Sequence, residues 1–205
     1  MSKRKQTGTK IRNVAMLGIM IAIVAVMQVI STYVSFGAFK ITLTLVPIVV
    51  GGILLGYAKG AVLGAVFGLM VSIFSVIGAD PGGAMVFAAR PFIAWVFCLV
   101  RGAAVGALCA LIYRAIAKKN EKAACFASAI AAPIINTGIF IVGMLIFFMP
   151  VFNEWMQLSG YENPLNYLIF GLCGVNVLVE FAVAVVFAPA IALIVKSVRR
   201  SLGHE

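Results

Sequence analysis

Residues 14–33 read VAMLGIMIAIVAVMQVISTY, twenty residues without a charged side chain. The hydrocarbon core of a bilayer takes about 20 apolar residues in helical form, so this stretch alone fits a membrane span. It is too long for the apolar core of a signal peptide, and no clear small-residue cleavage site follows it. It therefore reads as a retained first helix. The preceding residues 1–12 are polar and basic, with Lys3, Arg4, Lys5, Lys10 and Arg12. That flank predicts insertion from the cytoplasmic side.

The remainder has the same character. Of 205 residues, 63% are hydrophobic and 11% charged, against roughly 45–50% and 25% in ordinary soluble domains, and mean hydropathy is +1.14. So few charges cannot cover so much apolar surface in water, and disorder is excluded for the same reason. Further spans are expected at about residues 41–55, 60–78, within 91–117, at 124–148 and at 167–195. Six spans use about 120 residues, which leaves no room for a soluble catalytic domain. Residues 79–90, with Asp80, Pro81, Gly82 and Gly83, read as a loop by composition. Residues 150–164 read as a polar, aromatic loop. The expected fold is one all-α integral membrane domain over residues 1–205. It is a compact bundle of six transmembrane helices with both termini cytoplasmic, residues 1–12 forming a basic N-terminal segment and 196–205 a C-terminal tail.

The net charge of +10 reports orientation rather than nucleic-acid binding. With six spans, Lys3, Arg4, Lys5, Lys10, Arg12, Lys59, Arg114, Lys118, Lys119, Lys122, Lys196, Arg199 and Arg200 share one side, 13 of the 16 basic residues. Lys40, Arg90 and Arg101 remain. Cytoplasmic loops collect Lys and Arg, so residues 79–90 and 150–164 are expected outside. Cys98, Cys109, Cys125 and Cys173 lie in apolar runs without metal-ligand spacing and read as packing residues.

Small residues recur four apart. Gly56, Gly60, Gly64 and Gly68 do so in the third span, Gly102, Gly106 and Ala110 in the fourth, and Gly18 and Ala22 in the first, with Ala15 and Ala25 nearby. Such faces let backbones approach closely in lipid. They serve either tight packing within the chain or contact with another protein. Charges inside spans are few. Arg101 and Glu180 each cost at least about 2.5–3.5 kcal/mol at mid-bilayer if unpaired. Asn176 is four residues before Glu180, on the same helix face. Asn136 and Thr137 follow Pro133, which frees a backbone carbonyl and marks a bend. Arg101, Asn136, Asn176 and Glu180 thus come from three helices at similar depth, as a structural clasp or as a ligand pocket. Phe152, Trp155 and Tyr161 are placed to cover such a pocket or to anchor at the interface.

Several chemistries are missing from the sequence. Gly51 and Gly56 have Walker spacing, but Tyr57 stands where lysine is required. The one histidine, His204, supports neither a zinc site nor a nucleophile triad. No enzyme activity and no metal or other cofactor in this chain are expected.

These features together resemble the substrate-binding S subunits of energy-coupling factor (ECF) vitamin transporters, over essentially the whole chain. The run Ile41-Thr42-Leu43-Thr44-Leu45-Val46-Pro47-Ile48-Val49-Val50-Gly51 and the run Gly60-Ala61-Val62-Leu63-Gly64 look like that family's second and third helices. Residues 102–114, ending Leu111-Ile112-Tyr113-Arg114, look like its fourth. Pro133-Ile134-Ile135-Asn136-Thr137-Gly138 and Asn176-Val177-Leu178-Val179-Glu180 look most like the pantothenate-specific branch, with S subunits for riboflavin or folate as alternatives and a stand-alone secondary carrier as the rival class. The resemblance implies a bacterial cell-membrane protein that captures a vitamin from outside. It implies docking on a transmembrane coupling subunit bound to two ATPases, which use the ATP. Small residues of the first helix contact that subunit in the family. Here Ala15, Gly18 and Ala22 stand there, Gly18 and Ala22 replacing the family's usual alanine pair. Substrate contacts are expected from Arg101, Asn136, Thr137, Asn176 and Glu180. Arg101 suits a carboxylate, the asparagines suit amide and hydroxyl groups, and Glu180 suits a hydroxyl proton or the orientation of Arg101.

Overall fold

A computed structural model describes residues 2–33, 35–36, 39–40 and 42–201, with side chains excluded at 2–10, 35–36, 39–40, 169, 172–176, 199 and 201. The side chains of Lys40, Cys173 and Asn176, and all of His204, therefore lie outside the described residues. Helix α1 covers Ser2–Tyr33. A pair of two-residue antiparallel strands follows, β1 at Ser35–Phe36 and β2 at Phe39–Lys40. Then come α2 (Leu45–Leu55), α3 (Tyr57–Val76), α4 (Pro81–Ala89), α5 (Pro91–Ala117), α6 (Glu121–Phe147), α7 (Met149–Leu158) and the single turn α8 (Pro164–Asn166). A π-helical stretch, Tyr167–Gly174, leads into α9 (Val175–Ser201).

Five segments are long and apolar enough to cross a membrane: Ile11–Tyr33, Tyr57–Val76, Pro91–Ala117, Glu121–Phe147 and Val177–Val198. The second expected span is shorter. Helix α2 has 11 residues, about 16 Å of helix, against a hydrocarbon core of about 30 Å. Its surroundings explain this. It packs against α1, α3, α5, α6 and α9, and eight of its residues are buried. A helix that is apolar all round is one sheathed on every side, here by protein.

Two segments expected as loops contain helices. Residues 81–89 form α4, with Pro81 in its first turn and the Ala84 N–H donating to the Asp80 carbonyl at 2.9 Å. Proline is pre-set for that first turn, where its missing N–H costs nothing. The same device starts α7, with Pro150 in the first turn. Val151, Phe152 and Met156 turn inward while Glu154 and Gln157 are exposed, the pattern of a short amphipathic helix.

The glycine faces divide by partner. Gly60, Gly64 and Gly68 of α3 lie against the carbonyls of Gly106, Gly102 and Cys98 of α5. A Cβ on Gly64, Gly102 or Gly106 would overlap a backbone oxygen of the facing helix. Backbone cannot swing aside as a side chain can, so even alanine would force this seam apart. Gly56 is not part of it. It sits between α2 and α3 at φ 90°, a left-handed conformation that favours glycine. Around Gly18 of α1 a Cβ would meet nothing within 4 Å, and Ala15, Gly18 and Ala22 are all exposed. Close packing within the chain accounts for α3 and α5 and leaves the α1 face uncovered. Cys98, Cys109 and Cys125 are buried and not joined in disulfides, consistent with packing.

Candidate functional site

Helices α5, α6 and α9 bring Arg101, Asn136, Thr137 and Glu180 to one level of the bundle. Two apolar cores bracket that level. One holds Val49, Val105, Cys109, Ala132 and Ala188. The other holds Cys98, Met144, Phe148, Phe152 and Tyr167. On α5, Arg101 falls between Cys98 and Val105. On α6, Asn136 falls between Ala132 and Met144. Glu180 falls between Tyr167 and Ala188. The polar groups form a thin layer between two greasy ones. Arg101 is 9% exposed, Asn136 8% and Glu180 5%, so all three face the interior and not lipid.

Aromatic rings hold the cation. The Arg101 guanidinium carbon lies 5.8 Å from the Phe97 ring centre and 5.2 Å from that of Phe140. Both distances are within cation–π range. Phe97 is one helical turn before Arg101, and Phe140 one turn after Asn136, so each ring shares a face with its polar neighbour. Phe140 also stacks on Trp155 of α7 at 6.4 Å, and the Trp155 indole N–H donates to Met85 of α4 at 3.0 Å. Phe152 is fully buried. Trp155 thus reaches the Arg101 layer through Phe140, while Phe152 and Tyr161 pack on Tyr167.

Glu180 is held from the other side. Its Oε1 accepts from the Thr42 hydroxyl at 2.6 Å, and Arg101 and Thr137 are close enough to act on the same carboxylate. A cavity of about 20 Å³ adjoins it, lined by Thr42, Val46, Ala129, Pro133 and Glu180 among others. Pro133 sits inside α6 and has no N–H for the Ala129 carbonyl. Pro133, where a bend is expected, thus lines the cavity.

Three buried atoms of this layer have no hydrogen-bond partner: Arg101 Nε, Asn136 Oδ1 and Glu180 Oε2. Among the described residues the other such atom is Arg12 Nε, in α1. Leaving a buried polar atom unpaired costs about 1–3 kcal/mol, more when it is charged. A clasp whose purpose was stability would satisfy its own members. This layer instead leaves one N–H donor and two oxygen acceptors unpaired on three helices, of which Glu180 lines the cavity.

A family model described as "ECF transporter, substrate-specific component" matches residues 12–192. This chain belongs to that family. The ECF chain is also 28% identical over 194 residues to the pantothenic acid transporter PanT of Lactococcus lactis subsp. cremoris, covering 89% of this chain and 93% of the relative. With its apolar helices, the ECF component is a multi-pass protein of the bacterial cell membrane. Three of its site contributors were not singled out from sequence. Thr42 was visible only as a hydroxyl in an apolar run, and Phe97 and Phe140 only as apolar residues one turn from polar ones. Asn176 lies on α9 one turn before Glu180, but its side chain is outside the described residues.

Proposed function

We propose that this chain is the pantothenate-capturing subunit of an ECF importer. The observation that carries the reading is the set of three unpartnered atoms in the buried layer. Pantothenate has a carboxylate for Arg101, and hydroxyl and amide N–H donors for the open oxygens of Glu180 and Asn136. Charge-assisted bonds of the first kind are the strong ones. The named relative supports the same vitamin. Asn176 and Thr137 complete the proposed contact set.

The cavity of about 20 Å³ is far below the roughly 300–1,000 Å³ of small-molecule pockets. The structure is thus read as the closed form, and capture requires the site to open. We read α2 as a sixth pass shielded by its neighbours. Lys118, Lys119, Lys122, Lys196 and Arg200 are exposed, and with residues 1–12 and 196–205 they face the cytoplasm. Ala15, Gly18 and Ala22 dock on the coupling subunit, whose two ATPases drive release.

Reconstitution in proteoliposomes tests this. With coupling subunit and ATPases present, labelled pantothenate should accumulate only with ATP. Gradient-driven uptake by this chain alone would contradict the reading and favour a secondary carrier.

A further inference from the structure

The turn before α2 is tied on two sides. Thr42 donates to Glu180 Oε1 at 2.6 Å, bridging the turn to α9. Two residues later, Thr44 donates to Gln28 Oε1 of α1 at 2.8 Å and lies 3.4 Å from the Ser31 hydroxyl. Thr32 adds a bond to the Gln28 carbonyl at 2.9 Å. Gln28, Ser31, Thr32 and Thr44 are all buried. The turn is therefore anchored in α1 by a polar network whose members satisfy one another, while it presents Thr42 to Glu180. A carboxylate has two oxygens. Thr42 occupies one, and the other, Oε2, is buried with no hydrogen bond of its own, although Arg101 and Thr137 lie near the carboxylate. A free glutamate would rotate about its side-chain torsions and offer either oxygen in many directions. Short hydroxyl-to-carboxylate bonds are among the stronger protein hydrogen bonds, so Thr42 fixes which oxygen is offered and where.

We infer that Thr42 is a positioning residue for substrate specificity: it holds Glu180 by Oε1 so that Oε2 receives a hydroxyl of the ligand, the Thr44–Gln28 bond keeping the turn in place. This rests on the reading of the site as one for pantothenate. Arg101 then reads the anionic end of the ligand and the Thr42–Glu180 pair its hydroxylated end.

Dissociation constants of the full-length protein test it, for pantothenate and for its bis-deoxy analogue, tert-butylacetyl-β-alanine. Thr42→Val should weaken pantothenate binding about tenfold, and Thr42→Ser should restore it to within about threefold. The analogue, with no hydroxyl to place, should change less than about twofold in either variant. Glu180→Gln combined with Thr42→Val should bind pantothenate no more weakly than Glu180→Gln alone, because Thr42 acts through Glu180. Equal losses for both ligands, or additive losses in the double variant, overturn the inference. Absence of pantothenate binding by the unmodified protein overturns the substrate reading instead. In that case the same variants are compared by ligand-free melting temperature, where additive shifts overturn the Thr42–Glu180 coupling and non-additive shifts support it.

Discussion

Replacing Arg101 by methionine is expected to weaken pantothenate binding by about 100-fold or more and to lower the melting temperature of the ligand-free protein. The two halves of that result have one cause. The guanidinium is buried between Phe97 and Phe140 and acts on the Glu180 carboxylate, so its loss leaves a carboxylate unpaired with or without the ligand. Removing one partner of a buried charge pair is destabilising, because the other is left uncompensated. With the vitamin bound, the same exchange strands its carboxylate in an apolar setting, at about 3 kcal/mol or more, and each 1.4 kcal/mol is about tenfold in affinity. The neutral alcohol analogue, pantothenol, should lose less than about tenfold, so the two ligands converge. Arg101→Lys keeps the charge without the planar fork and should fall between. Equal losses for acid and alcohol would identify a structural clasp.

Tryptophan at Gly18 or Ala22 should cut transport by the complete complex about tenfold or more while the isolated chain binds its vitamin normally. Nothing stands within 4 Å of a Cβ at Gly18, and Ala15 and Ala22 are exposed beside it, so the large ring disturbs no packing inside this protein. Against a partner helix the ring holds the two backbones apart, and overpacking of that kind costs about 1–3 kcal/mol or more. The contrast is the α3–α5 seam. There Gly64 and Gly102 meet backbone, and a larger residue damages the fold itself. Binding and transport falling together in the α1 variants would place Gly18 inside the bundle. Normal transport would move the docking face elsewhere.

Much of the architecture was legible because the bilayer imposes a simple length rule. The apolar run at residues 14–33 and the runs of the third to sixth spans each coincide with a long helix. What the rule cannot distinguish is apolar because of lipid from apolar because of protein, and α2 is the second kind. Composition also misled at residues 79–90 and 150–164. Proline and glycine signal a turn only until the residues behind them can bury a face. Phe87 in α4, and Phe152 and Met156 in α7, do so. For the site, Arg101, Asn136 and Glu180 stood out because charge and amide are costly in lipid. The level they share follows from counting residues along each helix. Thr42 carries no such cost signal, and its partner is 138 residues away, a contact that no local pattern encodes. Spacing showed that the glycine faces were smooth. Which faces were already covered depended on the neighbouring helix, and only the fold supplied that.

On the function proposed, the three unpartnered atoms between the two apolar cores receive a hydroxylated, amide-bearing anion. Calorimetric titration of the purified full-length protein against a panel of pantothenate, pantothenol, riboflavin and folate tests it most directly. The account predicts saturable one-site binding of pantothenate, weaker binding of pantothenol, and no heat of binding from riboflavin or folate. Tighter binding of riboflavin or folate, or no binding of pantothenate by a folded preparation, would contradict it.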